Sequence, residues 1–211
     1  MNLRLILVDP HPGFCLAAEQ RFADLPDVEI VRGYFEEQPH FDCMVSAANS
    51  FGLMDGGVDA AITNFFGTAL MHRVQNRILD EYLGEQPIGT SLIVETGHPQ
   101  HPFIAHTPTM RVPMEINRTD NVYTAMWAML LAVRQHNRHT EKPIEIVACP
   151  GLGTGVGKMQ MSEAARQMCL AYQHYLTPPE RIIWNFAAQR QAKVRRGGDL
   201  WLTVKPKIQD S

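Results

Sequence analysis

The stretch from Asp42 to Asp59 constrains this chain more than any other. It opens with a short apolar run, Cys43 to Ala48, bounded by turn residues. Such a run reads as a buried strand. The chain then breaks at Asn49 into a glycine-containing loop. The loop feeds a segment with Val58, Ala61, Ile62, Phe65 and Phe66 on one face, which reads as a helix. Strand, glycine loop and helix start together make a ready anion site. Glycines let a backbone approach a ligand, and the first helical turn presents unpaired N–H groups. Asn49 stands at the strand's carboxyl end and Asp59 in the helix's first turn, where chemistry can use them.

Around this stretch the apolar pattern alternates between strand and helix. Leu3–Val8, Val28–Val31, Thr90–Glu95, Pro102–Thr107, Ile144–Cys149 and Arg181–Phe186 read as strands, with Asp199–Val204 a further candidate in the tail. Phe14–Leu25, Met71–Leu83, Asn121–Gln135 and Ser162–Leu176 carry helical spacing, and Gly84 is placed to end the second of these. Several strands are apolar on both faces. The expectation is an α/β three-layer sandwich (α/β/α) with a mixed, largely parallel central sheet. A length of 211 residues suits one domain. Ligands of such sheets bind beyond the carboxyl ends of the strands.

Composition narrows the function. Net charge is −3, so no basic field points to nucleic acid, and Lys193, Arg195 and Arg196 form only a short patch. No run reaches the ~18 apolar residues of a membrane helix, and the N-terminal apolar run is too short for a signal peptide. The four cysteines (Cys15, Cys43, Cys149, Cys169) are far apart and form no C-x-x-C pair, which reads as reduced thiols of a cytoplasmic protein. The nine histidines are scattered, so no metal is expected, and no cofactor is implied. Nothing in the sequence sets an oligomeric state.

A second glycine loop follows the strand that ends at Cys149. Gly151, Gly153, Gly155 and Gly157 alternate there, and their amides could form a nest for phosphate oxygens. The loop lacks the Gly-Lys-Ser/Thr of a nucleotide-hydrolysing P-loop, and its spacing is not that of a dinucleotide fingerprint. Lys158 and Arg111 are each placed to reach a phosphate or to stay solvated.

Val45 to Ile62 resembles the signature of macro domains: V-N-A-A-N, five residues, then G-G-G-V-D-x-x-I. Cys149 to Val156 resembles their second loop, P-x-I-S-T-G-I/V, and Phe103 to Thr107 resembles their I-H-T strand. The likeness to this family, as a divergent bacterial or phage-like member, covers residues 28–188. It leaves an N-terminal strand–helix extension (1–27), whose default role is to lengthen the sheet, and a C-terminal tail (189–211).

The resemblance implies a cytoplasmic module that binds ADP-ribose or an ADP-ribosylated substrate. Gly56, Gly57 and Val58 would present amides to the diphosphate and distal ribose. Gly153, Thr154, Gly155, Val156 and Gly157 would cover the diphosphate from the other side. Asn49 would bond a distal-ribose hydroxyl, and Asp59 would orient or activate water at the anomeric carbon; these two are the catalytic candidates. Each also has a structural reading, Asn49 as a turn cap and Asp59 as a partner of the helix dipole. Near a helix N-terminus Asp59 is expected to stay ionised, which favours orienting water over taking its proton. The resemblance leaves open an ADP-ribosyl hydrolase and a non-catalytic reader.

Two departures from the family pattern stand out. Tyr34 replaces the aspartate that grips adenine, leaving Tyr34 stacking, Glu36 or Asp9 as substitutes, with Phe186 a candidate wall or a core residue. Asp55 interrupts the run of three glycines.

Overall fold

The structure is a computed structural model and describes residues 3–195. Six strands form one sheet: β1 (Arg4–Asp9), β2 (Val28–Arg32), β3 (Cys43–Asn49), β4 (Leu92–Glu95), β5 (Phe103–Met110) and β6 (Ile146–Cys149). Their order is β2-β1-β6-β3-β5-β4, parallel throughout except for β4, which pairs antiparallel with β5 at one edge. Six helices cover it: α1 (Pro12–Phe22), α2 (Gly57–Phe66), α3 (Ala69–Tyr82), α4 (Asn121–Arg138), α5 (Met161–Leu176) and α6 (Trp184–Val194). The protein is an α/β/α sandwich with a mostly parallel sheet.

Burial on both faces explains the strand sequences. Along β1, Leu5 and Leu7 face a core shared with α1, α4 and α5, while Ile6 and Val8 face a second core shared with α2 and α3. On β3, Cys43 and Val45 join the first core and Met44 the second. A strand covered twice reads as a continuous apolar run because alternation has no solvent side to show. The first strand joins the sheet, as expected, but not at an edge. It lies inside, between β2 and β6.

One expected strand is absent. Arg181–Phe186 is irregular up to Ile183 and helical from Trp184. Ile182 and Trp184 are 83% and 69% exposed, so this apolar run meets no strand edge. Helical spacing wins because Phe186 and Arg190 then share a face. The Arg190 guanidinium lies 4.5 Å from the Trp127 ring centre and 5.7 Å from that of Phe186, and it donates to the Tyr123 hydroxyl at 3.0 Å. The tail candidate Asp199–Val204 lies outside the described residues.

Asp42 pins the start of β3 to that of β6. Its Oδ2 accepts from the backbone N–H groups of both Glu145 and Ile146 at 2.8 Å. Asp42→Ala strands two donors at the amino end of a central strand. It is expected to lower unfolding free energy in urea by about 1–3 kcal/mol; a loss within 0.5 kcal/mol, roughly the scale of an ordinary surface change, would show that water replaces the carboxylate.

Candidate functional site

Parallel pairing brings the carboxyl ends of β1, β2, β3, β5 and β6 to one edge of the sheet. A cleft of about 400 Å³ opens there. Its walls are Val8–Pro10 after β1, Gly33–Glu36 after β2, Ala47–Asn49 with the loop into α2, Thr109 and Met110 of β5, and the loop after β6. Asn49, Gly56, Gly57, Val58, Asp59, Gly153, Thr154, Gly155, Val156, Gly157 and Tyr34 all line it. Phe186 does not. It sits half-buried on α6 beside Arg190, so no adenine wall comes from it. Arg111 is also away from the cleft, its guanidinium donating to both oxygens of Glu85 at 2.6 and 2.8 Å. Lys158 is exposed and lines no part of it.

The glycines of the cleft divide into two groups. A side chain on Gly56, Gly57 or Gly155 would enter open space. Gly57 has φ +56°, a conformation that favours glycine. A Cβ on Gly157 would come within 2.5 Å of the Gly153 carbonyl oxygen, and one on Gly153 within 2.9 Å of Ile116 and Val122. These two close the loop on itself and on α4. The open glycines leave backbone accessible from the cleft.

That backbone carries unpaired donors. In the first turn of α2 the N–H groups of Gly57, Val58 and Asp59 have no helical carbonyl to meet. Across the cleft, the N–H groups of Gly155, Val156 and Gly157 make no hydrogen bond among the described residues. The Thr154 hydroxyl is spent on the Gly151 carbonyl at 2.8 Å. The loop is held from β1: Asp9 Oδ2 accepts from Gly151 N–H at 3.1 Å, and its Oδ1 from His11 N–H at 2.9 Å.

Asn49 and Asp59 are both buried and differently engaged. Asn49 Oδ1 accepts from the N–H groups of Phe51 and Leu53 at 3.0 and 3.3 Å, and its Nδ2 donates to the Leu53 carbonyl at 2.8 Å. It shapes its own loop with both ends of its amide. Asp59 Oδ1 accepts from the Ser46 hydroxyl at 2.7 Å. Burial pushes its pKa up to about 6; the Ser46 bond opposes the rise and the charge of Asp55 adds to it. The expected ionising effect of the helix N-terminus is therefore outweighed by desolvation.

Ser46 is the site residue that the sequence alone did not reveal, and Asp9, weighed there only as an adenine partner, instead holds the loop after β6. Ser46 had a signal: it is the one polar side chain within the buried run Cys43–Ala48. The loop-holding bond of Asp9 had none, because its partner lies 142 residues away.

The Macro domain family profile matches residues 45–168. An uncharacterized protein of Aquifex aeolicus is 30% identical over 142 residues, covering 67% of this chain and 78% of that one. The "macro domain-containing protein in sno 5'region" of Streptomyces nogalater is 29% identical over 139 residues, covering 66% of this chain and 73% of that one. Among solved structures, a variant of the Oceanobacillus iheyensis macrodomain with ADPR superposes with a TM-score of 0.57 at 23% identity, covering 70% of this chain and 77% of that one.

Asp59 makes the ligand-free protein pH-sensitive. Its folded-state pKa is raised, so its contribution is fully present below the unfolded value of 3.8 and is lost as pH rises through about 6. At pH 8 the ionised, buried group costs about 3 kcal/mol. Asp59→Asn removes the titration and keeps an acceptor for Ser46. Its stability advantage over the parent is expected to widen by about 1 kcal/mol between pH 5 and 8, measured by urea unfolding. A constant gap would mean that water reaches the carboxylate.

Proposed function

The chain belongs to the macro domain family, and we propose that it binds ADP-ribose or an ADP-ribose derivative in this cleft and hydrolyses an ADP-ribosyl linkage there. One observation carries the reading: two runs of backbone amides with no acceptor among the described residues, Gly57–Asp59 and Gly155–Gly157, belong to residues that line one cleft beyond the strand ends. Such amides suit a diphosphate, whose oxygens they meet without a cationic side chain. The Oceanobacillus neighbour with ADPR supports the choice of ligand. Four buried, unpaired thiols suit a reducing cytoplasm.

In this reading the adenine end lies at Gly33–Glu36. Asp9 has both oxygens committed to backbone, so Tyr34, 57% exposed at the rim, stacks on the base. The distal ribose lies toward Asn49 and Asp59. A carboxylate with a pKa near 6 and one oxygen held by Ser46 is placed to orient a water and take its proton at neutral pH. The alternative, a non-catalytic reader, draws on Asn49, whose acceptor is already spent on its loop.

Calorimetric titration is the first test. ADP-ribose is expected to bind saturably near 1 μM, about 8 kcal/mol, with AMP and ribose 5-phosphate much weaker; no binding up to ~1 mM, about 4 kcal/mol, sinks the proposal. Asp59→Ala should then bind ADP-ribose and lose roughly 10²–10⁴-fold in turnover. A parent inactive on every ADP-ribosyl ester leaves the reader. Because the base must be ionised, turnover falls on the acid side of about pH 6. Ser46→Ala removes the bond that holds Asp59's pKa down, so it should move that acid limb upward. An unmoved limb assigns it to another group.

A further inference from the structure

The charge of the cleft is at odds with a plain anion site. Among the described residues its lining includes four carboxylates, Asp9, Glu36, Asp55 and Asp59, and no lysine, arginine or histidine. Asp9 has a backbone donor on each oxygen. The other three do not. Asp55 is exposed, lines the cleft immediately before the open Gly56, and makes no hydrogen bond or ion pair among the described residues. Asp59 is 5% exposed; Ser46 holds one of its oxygens, and the other has no hydrogen-bond partner among the described residues. The two lie close enough for Asp55 to oppose ionisation of Asp59. The amide banks therefore suit an anion in the middle of the ligand, while the tip beside Asn49 and Asp59 is doubly negative.

We propose that this site takes ADP-ribosyl compounds whose group on the anomeric carbon of the distal ribose is a cationic nitrogen, and that Asp55 selects them. The inference rests on the ADP-ribose reading above. A glycine at position 55, as in the family pattern, leaves the tip with one carboxylate. Asp55 supplies a second, which attracts a cation, gains nothing from a neutral ester and repels a terminal phosphate. Two sources share the required chemistry: the guanidinium of an ADP-ribosylated arginine and the pyridinium of a nicotinamide dinucleotide.

The reaction balances without a co-reactant. Water oxygen bonds to the anomeric carbon, and the carbon–nitrogen pair leaves with the nitrogen. Asp59 accepts the water proton. With arginine that proton passes to the departing guanidine, restoring guanidinium. With nicotinamide the neutral base departs and the proton goes to solvent.

The test displaces bound ADP-ribose with four ligands that differ at the anomeric carbon: ADP-ribosyl-arginine, NAD⁺, O-acetyl-ADP-ribose and ADP-ribose-1″-phosphate. For the parent at low salt, at least one cationic ligand is expected to compete about tenfold better than the acetyl ester, and the phosphate worst. The order should flatten in high salt, because Asp55 is exposed and screened. It should also flatten in Asp55→Asn and Asp55→Gly, both of which still bind ADP-ribose. Whichever cationic ligand loses its advantage in these variants identifies the source. A parent that binds ADP-ribose without ranking the ligands by charge, or variants that keep the ranking, overturns the assignment to Asp55. A parent that does not bind ADP-ribose overturns the ligand reading itself, and this inference with it.

Discussion

Five parallel strands must leave their carboxyl ends along one edge of their sheet, and everything here that could touch a ligand depends on that constraint. The segments at the edge are distant in sequence. Asp9 ends β1, Tyr34 follows β2, Asn49 ends β3 and Gly151 follows β6. Register brings them together: Leu7 stands opposite Cys149, and Cys43 opposite Val147. The bond from Gly151 N–H to Asp9 Oδ2 then converts adjacency into a fixed loop. The segment Arg4–Phe22 is thus part of the site's scaffold. Its strand is interior and its last residue holds the second glycine loop.

The glycines show how one residue type serves two needs in the same loop. Gly153 and Gly157 pack against each other and against Ile116, where any Cβ would collide. Gly155, two residues from each, faces open space. The first pair folds the loop back so tightly that Met159 N–H reaches the Gly153 carbonyl at 3.0 Å. Gly155 then sits on the outside of the fold with its amide free. Tight closure by the flanking glycines is what exposes the backbone of the middle one.

Much of this was legible in the sequence because its physics is local. A short apolar run, a glycine loop and a helical repeat between Cys43 and Phe66 specify strand, turn and helix whatever surrounds them. The same holds for the loop after Cys149. Where sequence reasoning failed, a distant partner decided. Arg181–Phe186 reads as a strand on apolar content, yet its second half, from Trp184, belongs to a helix docked through Arg190 on Trp127 and Tyr123. Phe186 left the site with it. Asn49 reads as a ligand contact or as a turn cap, and only the positions of Phe51 and Leu53 show that its acceptor is taken. The ionisation of Asp59 could not be read from helix position, since burial between β3 and α2 belongs to the fold.

Asp59 and Asp9 receive opposite treatment at the same edge of the sheet. Asp9 meets a backbone donor on each oxygen, the arrangement of a carboxylate that holds structure. Asp59 meets one hydroxyl on one oxygen, and its neighbour Asp55 adds repulsion. The amides of the α2 first turn could have stabilised its charge, but Gly56 and Gly57 open that turn toward the cleft, where a ligand would compete for them. A fold optimised for stability alone would pair or remove such a carboxylate. Keeping it costs the free protein stability at neutral pH, and with Ser46 on one oxygen the second has no partner among the described residues and is left to whatever enters the cleft. The same geometry that makes Asp59 expensive makes it reactive, because both follow from withholding the donors that Asp9 was given.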